Sequence, residues 1–175
     1  KNSLVPPFTI SCFADPSGAF TTAAGMIAKV ENVLLKKFDK KFSGLKVVIL
    51  GGTGPVGLTA GILASLAGAE VVIMGRDKEK CEKVASLCKE KYLDSSSKIF
   101  GAGNDELDSY IKDIDVVLAS AAAGIQLVTE EQLKNAVNLK VAADVNAVPP
   151  SGIAGLDAMQ DAKELEGSTS GALGI

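Results

Sequence analysis

The stretch of this 175-residue chain with the most definite chemistry is Gly52-Thr53-Gly54-Pro55-Val56-Gly57. A G-x-G-x-x-G turn between a β-branched strand and a helix holds a pyrophosphate. Gly52 permits the tight turn, Gly54 lets the backbone approach the ligand with no Cβ in the way, and Gly57 lets the helix pack on the strand. The first N–H groups of that helix have no intrahelical acceptor and face the phosphate oxygens. Roughly 20 residues further on, sites that take NAD carry an acidic side chain for the ribose hydroxyls, whereas this chain has Gly75-Arg76-Asp77. The Arg76 guanidinium is a planar fork for a 2′-phosphate and Gly75 leaves room beside it, so the expected cofactor is NADP. Asp77 keeps NAD open, because a small loop shift would aim its carboxylate at the ribose. The competing readings are a glycine turn without a ligand and a solvated arginine.

Two further loops hold candidates. Ser120-Ala121-Ala122-Ala123-Gly124 follows a strand, at the edge where ligands of open α/β sheets settle, and a nicotinamide fits against it as well as an ordinary tight connection does. Asp144-Val145-Asn146 leads into the stiff Pro149-Pro150 segment. Asn146 is a candidate for the nicotinamide amide or the substrate, and Asp144 either serves the site or caps a turn.

These residues need a scaffold, and the hydrophobic pattern supplies one. A helix is predicted from Thr21 to about Phe38, followed by strand Leu45 to Leu50, helix Val56 to Leu66, strand Glu70 to Met74 and helix Lys78 to Lys91. Further strands are expected at Lys98 to Phe100, Asp115 to Ala119 and Lys140 to Ala143, with helices near Asp105 to Lys112 and Thr129 to Ala136. Phe8 to Phe13 is a short strand candidate, and Gly167 to Ile175 packs as a strand or stays mobile. The alternation implies an α/β fold, a Rossmann-type doubly wound parallel sheet with an N-terminal linking helix. In this reading residues 1–20 edge an interdomain segment, 21–40 form the linking helix, 41–160 the dinucleotide-binding domain and 161–175 a tail that packs back.

Composition excludes other classes. The net charge of −3 and the absence of a broad basic face argue against nucleic acid. Apolar runs are too short for a membrane span and no signal peptide is visible, so a cytoplasmic location is expected. There is no His, which removes His-based triads and most zinc sites, and no metal is expected. Cys12, Cys81 and Cys88 lack metal-type pairing, and reduced thiols are expected.

Several stretches together carry a resemblance. They are Ala14-Asp15-Pro16-Ser17-Gly18-Ala19-Phe20-Thr21-Thr22-Ala23-Ala24, Val48 to Gly57, Gly75-Arg76, Asp144-Val145-Asn146-Ala147-Val148-Pro149-Pro150-Ser151-Gly152-Ile153, Gly155 to Ala158 and Gly171 to Ile175. In these the chain resembles the methylene-tetrahydromethanopterin and methylene-tetrahydrofolate dehydrogenases of methylotrophic bacteria. The resemblance implies NADP-dependent hydride removal from a methylene-tetrahydropterin, giving the methenyl form. It further implies a homo-oligomer, an interdomain cleft at Ala14 to Thr22, and an amino-terminal domain before Lys1 that supplies much of the pterin site. The carbon that loses hydride lies between two nitrogens that stabilise the cation, so positioning outweighs proton transfer. Asp15 and Asp144 are the candidate carboxylates for the developing positive charge.

Three rivals remain. A short-chain dehydrogenase would carry Tyr-x-x-x-Lys, and neither Tyr92 nor Tyr110 has Lys four residues on. Shikimate-type cofactor domains share the glycine loop without accounting for Asn146 to Pro150. A non-catalytic NADP-binding or regulatory domain would share the loop and bind without turnover.

Overall fold

Val47 and Ile49 of strand β1 (Lys46–Leu50) point to one side of the sheet and Val48 and Leu50 to the other, and all four are at most 1% exposed. A strand that is apolar on both faces needs a covering layer on each. The computed structural model of the chain, which describes residues 14–146 and 148–175, supplies both layers. The strand candidate at Phe8 to Phe13, Cys12 and Ala147 fall outside the described residues.

Five parallel strands form the body of the sheet: β1, β2 (Glu70–Gly75), β3 (Ile99–Gly103), β4 (Val116–Ala119) and β5 (Val141–Asp144). Two short strands, β6 (Lys163–Glu164) and β7 (Leu173–Gly174), complete the order β3-β2-β1-β4-β5-β7-β6. The chain adds strands outward on one side from β1 to β3 and then on the other from β4, so the switch point of a doubly wound sheet lies between β1 and β4. The predicted doubly wound parallel sheet is observed, with an addition at its edge: β7 runs parallel to β5 but β6 is antiparallel to β7. A short return from Glu164 to Leu173 has no crossover helix, so it pairs antiparallel. Of the two readings of the tail, the strand is the one observed.

One face is covered by helices α1 (Ala19–Phe38), α2 (Pro55–Leu66) and α3 (Lys78–Tyr92). The long first helix is built into this layer: Ala23, Ile27, Val30, Val33 and Leu34 are buried, and it packs on α2 and reaches β5. The other face is covered by α4 (Leu107–Tyr110), α5 (Glu130–Asn135) and the segment around Ile153 and Leu156. The helix expected at Asp105 to Lys112 is shorter, because Asn104–Glu106 forms a 3-10 turn in which the Glu106 carboxylate accepts from the Gly103 N–H at 2.9 Å. Strand β3 outruns its predicted end at Phe100 and stays in register with β2 through Gly103. Among the described residues no helix is long and apolar enough to cross a membrane.

Candidate dinucleotide site

The loop from Gly51 to Gly54 leaves β1 and turns into α2, whose first residue, Pro55, carries no N–H to leave unpaired. Val56 and Gly57 follow with N–H groups that no helical carbonyl can reach. The left-handed position of the turn is Gly51, at φ 73°, one residue earlier than the sequence motif implies. A Cβ there would stand 2.6 Å from the backbone nitrogen of Ala121, so the loop after β4 presses directly on it. Gly52 is needed for a different reason: its Cβ would meet Ile73 Cγ2 at 2.7 Å and the Ile49 carbonyl at 2.9 Å. Gly57 packs as predicted, since a Cβ would meet Gly51 O and Gly52 Cα at 2.8 Å. The sequence signal for Gly51 was the Gly51-Gly52 doublet, but the close approach of a loop 70 residues away is invisible locally.

Gly54 differs from the other three. Its φ of −78° and ψ of 164° suit any residue, and the one neighbour a Cβ would meet is Gly51 O at 3.3 Å. Nothing in the surrounding protein demands glycine there.

At the end of β2, Gly75 is buried, and a Cβ on it would lie 3.0 Å from Cys81 Sγ. The expectation that Gly75 leaves room for a phosphate is therefore corrected: the first turns of α3 fill that space. Arg76 is exposed and makes no hydrogen bond or ion pair with the described residues. Asp77 is the N-cap of α3 and accepts from the Lys80 N–H at 3.0 Å. That bond directs its carboxylate to the helix end, where the cap and the dipole favour it. Thr53 lies close by, its Cγ2 3.7 Å from the Cβ position of Gly75. Cys81 and Cys88 are buried free thiols on α3, and burial pushes both above the usual thiol range.

The loops after β4 and β5 meet the glycine turn. Ser120 Oγ donates to Leu50 O at 3.1 Å and would lie 2.5 Å from a Cβ on Gly57, so this hydroxyl ties β4 to the turn. Ala121 is half-buried, while Ala122 and Gly124 are exposed, with Gly124 at φ 76°. Asn146 Nδ2 donates to Ala121 O at 2.8 Å and joins the two loops. Asp144 spends its carboxylate on the loop it begins, accepting from the N–H groups of Asn146 and Gly152. Of its two sequence readings, turn capping is the one displayed. Asn146, Val148, Pro149, Ser151, Leu156 and Asp157 line a cleft of about 370 Å³ beyond β5.

Asp15 caps α1. Its carboxylate accepts from the N–H groups of Phe20 and Thr21 at 2.9 and 3.0 Å and from Thr21 Oγ1 at 2.8 Å. These bonds, that of Phe20 foremost, hold it below the usual carboxylate range. Ser120, Ala121, Asn146 and the glycine turn are thus brought together, and Arg76 stands at the end of the neighbouring strand.

A glycine turn at the switch point of a 3-2-1-4-5 parallel array, opening on a helix N-terminus, defines a dinucleotide-binding domain of the Rossmann type. The profile of the Shikimate / quinate 5-dehydrogenase family matches residues 32–161, and the chain belongs to that family. The resemblance read from its motifs is borne out. The chain is 40% identical over 158 residues to the NAD(P)-dependent methylenetetrahydromethanopterin dehydrogenase of Methylorubrum extorquens, a match spanning 90% of this chain and 53% of the relative. It is 34% identical to the Bifunctional protein MdtA of the same organism, over 100% of this chain and 60% of that protein. The chain therefore spans about half to three-fifths of these curated relatives. Among solved structures, an L-alanine dehydrogenase shares the fold with a TM-score of 0.65 at 18% identity, covering 91% of this chain and 47% of that one.

Proposed function

We propose that the chain is the dinucleotide-binding part of an NADP-dependent dehydrogenase that takes hydride from methylene-tetrahydromethanopterin or methylene-tetrahydrofolate and gives the methenyl form. Gly54 carries the cofactor half of this reading. Its conformation tolerates any side chain and its protein neighbours leave almost enough room for one, whereas a pyrophosphate lying on the α2 N-terminus does not. Gly52, Thr53, Pro55, Val56 and Gly57 frame that cradle. Arg76, free of protein partners among the described residues, takes the 2′-phosphate, and the capping bond of Asp77 favours NADP over NAD.

The dinucleotide, when bound, supplies hydride acceptance, and the chain's residues hold and orient it. Ser120, Ala121, Ala122 and Gly124 border the nicotinamide, with Asn146 fixing their loop. The cleft beyond β5 receives part of the pterin. Asp144, held by two N–H groups beside that cleft, sets its carboxyl group near the developing cation, while Asp15 shapes the start of α1 at the edge of an interdomain cleft. The pterin substrate and a homo-oligomeric assembly rest on the similarity to the methylene-tetrahydropterin dehydrogenases.

The test is a fluorescence titration with NADPH and NADH of the wild type, Gly54→Ala and Arg76→Ala, each checked for an unchanged circular dichroism spectrum. Wild type should prefer NADPH, Arg76→Ala should remove the preference, and Gly54→Ala should fold normally and lose affinity for both at least tenfold, or about 1.4 kcal/mol. Unchanged binding by Gly54→Ala would overturn the cradle. Reduction of NADP with methylene-tetrahydromethanopterin and methylene-tetrahydrofolate then tests the reaction, and binding without turnover would favour a regulatory domain.

A further inference from the structure

Strands β2 and β3 end side by side, with Gly75 opposite Gly103, so Arg76 and Asn104 leave the sheet as neighbours. Asn104 is half-buried, yet its Oδ1 is closed off from solvent and has no hydrogen-bond partner among the described residues. A buried acceptor without a donor carries an uncompensated desolvation cost and calls for an explanation. Two nearby donors are engaged at Glu106, the Gly103 N–H with Oε1 and Lys78 Nζ with Oε2, both at 2.9 Å, and the guanidinium of Arg76 makes no bond to Asn104. Both bonds lower Glu106 relative to its ordinary value, that of Gly103 foremost, and the second raises Lys78 and ties the loop after β3 to the start of α3.

We infer that Asn104 reads the adenine base of the dinucleotide, its Oδ1 accepting from the exocyclic amine and its Nδ2 donating to N7. This rests on the dinucleotide reading above, which places the adenosine 2′-phosphate at Arg76 and hence the base of the same nucleoside nearby. A phosphate offers acceptors only and leaves Oδ1 without a donor. Adenine offers a donor and an acceptor side by side, the complement of an Asn amide. The torsion that presents the amide is soft for Asn, so a modest turn of the half-buried side chain brings Oδ1 to the base.

The probe is the hypoxanthine analogue of NADPH, in which an oxo group replaces the exocyclic amine. Wild type should bind NADPH about tenfold more tightly than this analogue, the discrimination of one well-formed amide–base pair. Asn104→Leu should bind the two equally while keeping its preference for NADPH over NADH, and Asn104→Asp, which retains an acceptor, should keep part of the base discrimination. A role confined to folding would lower the melting temperature without changing the ratio. Equal binding of the two dinucleotides by wild type overturns the inference even if the variants fail to fold, as does discrimination that survives in Asn104→Leu. Failure to bind NADPH at all overturns the cofactor reading as well, so the two failures are told apart.

Discussion

Asp15 shows how much a single carboxylate can organise. It lies three residues before the N-cap Gly18, yet it satisfies two of the orphan N–H groups that open α1. Because its folded pKa lies below the unfolded value, its stabilisation is complete above the ordinary carboxylate range, about pH 4, and is lost as pH falls through the lowered value. Asp15→Asn should therefore unfold at lower denaturant concentration than wild type at pH 7, and the gap should close under acid conditions. A gap that does not depend on pH would show that the charge is not what matters. On the proposed function, the same variant should lower turnover with a methylene-tetrahydropterin more than NADP affinity if Asp15 also faces the pterin. Local structure was legible wherever local chemistry sufficed: Gly57 close against the turn under the helix, and the capping alternative for Asp144. Gly51 and Asn104 were not, because one is fixed by the backbone of Ala121 and the other by a donor missing in three dimensions.

Among the described elements, α3 and β3 make the most extensive helix-to-strand contact. Gly101 is half-buried at the centre of β3, and a Cβ on it would fall on the backbone of Cys81 and Glu82. Gly101→Ala should push α3 outward and cost about 2 to 3 kcal/mol of stability by overpacking, read as a lower urea midpoint with unchanged slope. A cost below about 0.5 kcal/mol, the level of an ordinary surface change, would mean that the helix sits less closely than described. The alternation of β-branched strands and helices made β1 to β5 and α1 to α3 readable, since each buries a periodic apolar pattern. The ends of elements were less so. β3 is prolonged by pairing with β2, and β6 and β7, of two residues each, are too short to carry a pattern.

For the molecule as a whole, the sheet order places every candidate loop except that of Asp15 at the carboxyl edge, and α1 braces the same layer from outside. Fold class was legible because both periodicities agree across the whole chain; the mixed direction of the last strand pair was not, being settled by the brevity of the return. The contact between Gly51 and Ala121 has a mechanical meaning. With backbone against backbone and Ser120 Oγ bonded to Leu50 O, the turn after β1 and the loop after β4 have no slack between them, and opening one requires opening the other. Amide hydrogen exchange should then report a single cooperative unit: NADPH should slow exchange at residues 120–124 together with residues 51–57, and Gly54→Ala should erase both protections at once. Independent changes in the two segments would show that they breathe separately. If they breathe together, occupancy of the proposed phosphate cradle would set the rigidity of the surface on which the proposed hydride transfer takes place, before any substrate arrives.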